Sequence, residues 1–277
     1  MITYNQDEQV LEIQILGYKI QSVYQEIKTE EGVIHGYEAL CRATKNGEGV
    51  SPKKLFSFLE KLDDDLEFKV KFAINVMHIR GFIESEIYNE ETKLFLNFSP
   101  CFFRALSKQD SLINDCVKHI LTTGIKLEQI VVEIVEDYCP IDEITNFYDG
   151  INKIRSQGVS LAVDDFGTGW SGFSRVAAIS PDYIKVSREL LVASQVGLTE
   201  ELEELKVICG LKNTMLIYEG IECIEQLELA KAYGSNLYQG YYLSFPRKHP
   251  FQRTVNHKAK IEKTIKTNAF TSIHLKC

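Results

Sequence analysis

Short apolar runs alternate with stretches of helical periodicity along this chain, and nearly every run carries a carboxylate, an amide or a lysine toward its carboxyl end. The runs occupy residues 22–27, 35–40, 94–98, 130–134, 160–164, 183–186, 215–219 and 237–243. Most have the length and turn-residue borders of strands buried on both faces. Between them, residues 52–62, 68–83, 111–124, 141–158, 199–211 and 224–234 carry apolar residues at three- and four-residue spacing. Gly124, Gly158 and Gly234 stand where helix stops are expected. This alternation predicts a parallel sheet with crossover helices, and about eight strands predict an α/β fold of the (β/α)8 TIM-barrel type. The first two runs are joined by residues 28–34 alone, too few for a crossover helix. They are expected to be antiparallel, which makes the barrel a modified one with an antiparallel first strand.

The carboxyl ends of the runs read Glu38, Asn97, Glu133, Asp164 with Asp165, Lys185, Glu219 and Gln239. In a barrel these ends converge on the face where the loops build a site. Side-chain alternation puts Asp164 on the same side as Ala162 and Ser160, with Leu161 and Val163 toward the helices. By the same parity Glu133 goes with Val131, Asn97 with Phe95, and Glu219 with Ile217. The adjacent carboxylates Asp164 and Asp165 would repel each other unless a positive charge lay between them, and a hard divalent cation meets that need. An acidic turn cap is the bland reading of the pair and of the glycine-spaced stretch after it. The two readings are near parity for this segment alone; the whole set of strand ends favours a functional site.

Composition narrows the chemistry. A chain of 277 residues at 44% hydrophobic can bury one large core. Its net charge of -8 gives no electrostatic reason to expect duplex nucleic acid as a partner. For an anionic substrate, bound metal has to supply the attraction. The seven cysteines include no CxxC pair, so they read as reduced thiols and not as a zinc site. The six histidines show no ligand spacing. No stretch approaches the roughly 18 apolar residues of a membrane span, and the first residues do not resemble a signal peptide, so the chain is read as cytoplasmic. Asp63-Asp64-Asp65 reads as a helix-start or turn cluster.

The residues around these strand ends resemble the EAL-type cyclic di-GMP phosphodiesterases. The resemblance runs through Glu38-Ala39-Leu40, Asn97-Phe98-Ser99, Glu133-Ile134-Val135-Glu136, Asp164 to Gly169, Asp182-Tyr183-Ile184-Lys185, Glu219-Gly220-Ile221-Glu222 and Gln239-Gly240-Tyr241. These motifs stand in family order and at family spacing, roughly from Ser22 to Pro246. It implies an EAL domain over residues 21–250, with a short extension before it and a helical or frayed tail over 251–277. It also implies hydrolysis of cyclic di-GMP to linear pGpG with two Mg²⁺ or Mn²⁺ ions, and a homodimer. By the same resemblance Glu38, Asn97, Glu133 and Asp164 would ligate one ion. Asp165 and Glu219 would help hold the second, with Asp164 bridging. Lys185, Glu38, Glu219 and Gln239 would carry the catalysis, with Gln25, Leu40 and Arg42 contacting substrate and Glu136 anchoring the glycine loop. Departures from the family pattern include Ser187 in place of an aspartate and Glu26 in place of a proline. The competing reading is a weak or inactive EAL domain that serves as a cyclic di-GMP receptor or as a protein-interaction module.

Overall fold

A computed structural model describes residues 2–251 except 170, 196 and 198. The expected carboxyl-terminal tail falls almost wholly on residues 252–277, outside the described residues. In chain order the strands and helices are β1 (Ile2–Asn5), β2 (Val10–Ile15), β3 (Tyr18–Lys28), β4 (Ile34–Lys45), β5 (Glu48–Val50), α1 (Pro52–Leu59), α2 (Asp64–Ile83), β6 (Lys93–Phe98), α3 (Pro100–Lys108), α4 (Asp110–Leu121), β7 (Ile130–Ile134), α5 (Ile144–Arg155), β8 (Ser160–Phe166), α6 (Phe173–Ile179), β9 (Tyr183–Val186), α7 (Arg188–Gln195), α8 (Glu200–Lys212), β10 (Met215–Tyr218), α9 (Ile224–Ala232) and β11 (Leu237–Tyr238).

Strands β4, β6, β7, β8, β9, β10 and β11 pair in that order, all parallel. Strand β3 closes the ring and runs antiparallel to both of its neighbours, β4 and β11. The expected modified barrel is therefore the fold. The physical cause is the hairpin: residues 29–33 leave no room for a helix, so β3 has to enter reversed. Strands β1 and β2 extend the sheet beyond β3, and β5 beyond β4.

The barrel interior holds a compact apolar floor of Ile27, Phe95, Val131, Ala162, Tyr183, Ile217 and Leu237, nearly all inaccessible to solvent. Each parallel strand that contributes to this floor carries a polar residue two positions further on. The eighth barrel strand, β4, contributes Gly36, because a Cβ there would lie 2.9 Å from the Phe95 ring. A second, larger core fills the space between the outer sheet face and the helices. There α2 packs on β2, β3 and β6. Asp63 caps that helix, accepting a 3.0 Å bond from Leu66 N, and Asp64, Asp65 and Glu67 lie in its first turn, where the helix dipole favours them. His78 on α2 is buried against β3, with Nδ1 2.8 Å from Ser22 Oγ, and burial pushes its pKa down to about 3.

Strands β1 and β2 form where the sequence reading assigned no element. The charge at Glu12 interrupts the apolar run, yet its side chain is buried because Asn5, Gln14, Gln21 and Lys19 all bond to it. The strand expected over 237–243 ends instead at Tyr238. The chain turns at Gly240, whose carbonyl accepts from both Leu243 N and Ser244 N.

Candidate active site

One layer above the apolar floor, the middle of β4 and the carboxyl ends of β7, β8, β9 and β10 bring together the cluster around Lys185. Its Nζ lies 2.6 Å from Glu219 Oε1, 2.7 Å from Glu133 Oε1, 3.0 Å from Asp164 Oδ1 and 3.4 Å from Glu38 Oε2. Lys185 and Glu133 are 1% and 0% exposed, which excludes a surface lysine. Glu38 is oriented from two sides: Asn97 Nδ2 donates to Oε1 at 3.0 Å and Gln239 Nε2 to Oε2 at 2.6 Å. Gln239 Nε2 also donates to Gln25 Oε1, and Gln25 Nε2 donates to Ser244 O at 3.0 Å.

Strict alternation would turn Asp165 toward the helices, away from Asp164. It does not, because Asp165 takes a left-handed backbone with φ of 50°, and the β8–β9 register shifts between Val163 and Phe166. That bulge brings Asp164, Asp165 and Glu219 round so that one ligand oxygen of each lies within 4.8 Å of the others. Phe166 is then free to enter the outer core.

Five carboxylates face one ammonium in this layer, and their ionisation reflects the imbalance. Burial, reinforced by neighbouring carboxylates and opposed by Lys185, raises Glu133 and Glu219 well above the usual glutamate range. At Glu38 burial pulls the same way, but Lys185, Asn97 and Gln239 together outweigh it and hold the carboxyl lower than usual. Burial and then the charge of Asp164 push Asp165 up to about 6. Lys185 feels burial in the opposite sense, yet the four surrounding carboxylates keep it firmly protonated. Glu133 Oε2 and Gln239 Oε1 have no hydrogen-bond partner among the described residues. An all-oxygen donor set with excess negative charge and orphaned buried oxygens fits a hard divalent cation.

The remaining expected residues border this layer. Leu40 and Arg42 share the face of Glu38 by alternation along β4. Leu40 and Asn97 line a cavity of about 240 Å³ walled by Phe56, Ile74, Phe98 and Phe102. Arg42 is exposed, and its guanidinium donates to its own Cys41 carbonyl at 3.0 Å. Glu136 accepts a bond from Thr168 Oγ1 in the glycine loop. The loop passes so close that a Cβ on Gly169 would sit 1.6 Å from Glu136 Oε1. Ser187 does not reach the carboxylates: it is buried at the start of α7, where Oγ accepts from Leu190 N at 3.2 Å. A serine hydroxyl caps a helix as readily as an aspartate does, so this departure leaves the cluster untouched.

Two groups that the sequence reading passed over support the site. Asn75 on α2 is buried and donates to Asn97 O at 3.2 Å. Its signal was an amide inside the apolar stretch Ala73-Ile74-Asn75-Val76-Met77. Arg175 is buried and donates to Val135 O at 3.0 Å, with no comparable signal in the sequence.

The family described as EAL domain matches residues 9–246. The oxygen sensor protein DosP of Escherichia coli (strain K12) is 29% identical over 236 residues, 84% of this chain and 29% of DosP. The cyclic di-GMP phosphodiesterase TpdA of Vibrio parahaemolyticus is 28% identical over 116 residues, 41% of this chain and 20% of TpdA. A solved structure of the Bacillus subtilis YkuI protein, with an EAL domain and in complex with substrate c-di-GMP and calcium, is similar with a TM-score of 0.70 at 26% identity. That match covers 88% of this chain and 61% of the YkuI chain. The chain thus spans less than two thirds of the length of each of these relatives.

Proposed function

This chain belongs to the EAL domain family, and from that membership we propose that it is a divalent-metal-dependent phosphodiesterase that hydrolyses cyclic di-GMP to linear pGpG. The observation that carries the reading is the ring of carboxylates from separate strands, Glu38, Glu133, Asp164 and Glu219, converging on the buried Lys185. Support comes also from TpdA, named as a cyclic di-GMP phosphodiesterase, and from YkuI, solved with c-di-GMP and calcium.

In this reading Glu38, Asn97, Glu133 and Asp164 would hold one Mg²⁺ or Mn²⁺ ion, and Asp165, Glu219 and Asp164 would hold a second. The chemistry such ions supply when bound is activation of water as the nucleophile and neutralisation of charge at the phosphoryl oxygens. The chain's own groups do the rest. Asn97 and Gln239 fix the orientation of Glu38, so its carboxylate would meet a metal ion without reorganising. Lys185 stays protonated; it would donate to the nucleophilic water, and its positive charge would stabilise negative charge developing on the phosphoryl group. Arg42 offers a guanidinium fork to a phosphate of the substrate, and Leu40 gives it an apolar contact. Gln25, tied to Gln239 and Ser244, sets the substrate edge of the site.

The test is to incubate the purified protein with cyclic di-GMP and Mn²⁺ or Mg²⁺ and to follow pGpG by chromatography. Metal-dependent pGpG formation is expected. Tight nucleotide binding with no turnover would instead identify a receptor, and neither binding nor turnover would identify a protein-interaction module.

A further inference from the structure

We propose that Arg175 is a positioning residue for the second metal position, acting through Glu136 on the loop that carries Asp165; the inference rests on the metal-dependent reading above. Arg175 lies in the first turn of α6, directly after the glycine loop. It is 7% exposed, and its guanidinium stands 5.3 Å from the centroid of the Phe147 ring. Nη2 donates to Val135 O at 3.0 Å, while Val135 N donates to Phe98 O at 3.3 Å. Val135 is therefore held from both sides, by Arg175 and by β6. The next residue, Glu136, receives Thr168 Oγ1, and the same hydroxyl lies 3.0 Å from Asp165 O.

These contacts form a closed path. Thr168 and Arg175 both follow Asp165 in the chain, and both land on adjacent residues of the extension beyond β7. The segment from Asp165 to Arg175 is thus stapled at two points to one short stretch of backbone. A non-glycine residue in the left-handed region persists only where its surroundings over-determine it. Asp165 is such a residue. Without Arg175, Val135 O loses its partner and the Val135–Glu136 stretch is held on the β6 side alone. Glu136 then shifts, Thr168 follows, and the Asp165 carboxylate leaves its place beside Asp164 and Glu219. Groups that orient a metal ligand from behind typically change metal affinity by about 10–100-fold when removed.

The experiment is a titration of the full chain with Mn²⁺ in the absence of nucleotide, followed by electron paramagnetic resonance and calorimetry. Wild type, Arg175→Met, Arg175→Lys and Thr168→Val are compared, with circular dichroism to establish folding. Two Mn²⁺ classes are expected in wild type. In Arg175→Met one class should loosen about tenfold or more while the other stays unchanged, because Asp165 alone among the metal-holding residues has moved. Thr168→Val, which cuts the same path at its other end, should show the same selective loosening, and Arg175→Lys should fall between. Should Arg175→Met fail to fold, Arg175→Lys and Thr168→Val carry the test. A folded Arg175 variant with wild-type Mn²⁺ affinities at both classes would overturn the proposal, as would equal loosening of both, which a merely structural role predicts. Wild type that binds no Mn²⁺ would instead sink the metal-dependent reading.

Discussion

Replacing Lys185 by methionine tests the electrostatic reading of the site most directly. The substitution keeps an unbranched chain of similar length and removes the one positive charge that four carboxylate oxygens approach at 2.6, 2.7, 3.0 and 3.4 Å. Breaking a buried ion pair from one side costs about 3–5 kcal/mol, because the partner charge is left buried and uncompensated. With four partners the upper part of that range is expected. For a domain of this size each kcal/mol lowers Tm by about 2–4 °C, so at about 4–5 kcal/mol the metal-free variant should melt roughly 8–20 °C below wild type. A divalent cation that binds the folded state restores the missing charge, and it adds stability as RT ln(1 + [L]/Kd). Differential scanning calorimetry with and without Mn²⁺ should therefore show a larger metal-induced rise in the variant than in wild type. A metal-free Tm within about 2 °C of wild type would refute the argument that Lys185 neutralises this cluster. Hydrolysis should be lost even at saturating metal, with nucleotide affinity retained.

Three further outcomes follow from other parts of the molecule. Glu38→Ala should abolish pGpG formation, and an unchanged rate would remove Glu38 from the site. Ser187→Ala should cost about 0.5–2 kcal/mol in urea unfolding through loss of the α7 cap, with metal affinity unchanged. His78, whose pKa is near 3 in the folded chain and about 6.5 unfolded, binds a proton only when the chain unfolds between those values. Stability should therefore be unaffected by this group above about pH 6.5 and fall as pH drops below it. The loss from His78 is about 1.3 kcal/mol between pH 7 and pH 5.5. Urea melts of His78→Asn should lack this component of the slope, and parallel slopes in the two proteins would contradict it.

The barrel and most of its polar layer were legible because strand alternation is a strict rule. Phe95 with Asn97, Val131 with Glu133 and Ile217 with Glu219 each needed only parity along a strand to be assigned a common side. Legibility failed where local backbone or long-range partners overrode pattern. Asp165 breaks the alternation through its left-handed conformation, and nothing in an Asp-Asp pair announces the bulge. Glu12 looks like a surface charge until its four partners are seen. Arg175 acts on a carbonyl 40 residues away, a contact that only the fold creates. The short β11 was over-extended because the apolar residues after Gly240 continue the hydrophobic run. Two of them, Tyr241 and Tyr242, are 51% and 48% exposed and belong to a turn.

The reversed entry of β3 also decides where the ring is joined. On one side β3 zips against β4 along its whole length as a local hairpin, from Tyr18↔Lys45 to Lys28↔Ile34. On the other its backbone pairing, among the described residues, is limited to Lys28↔Tyr238 and the bridge between Tyr24 and Arg247. That thin seam links residues more than 200 positions apart, since the Gln239–Gln25 bond crosses it with a separation of 214. Loop-closure entropy makes such a join late in folding. The polar layer is thus incomplete until the ring shuts. A nucleotide that touched Gln25 and Gln239 together would act as a clasp on this seam, adding its binding free energy to the closed ring alone.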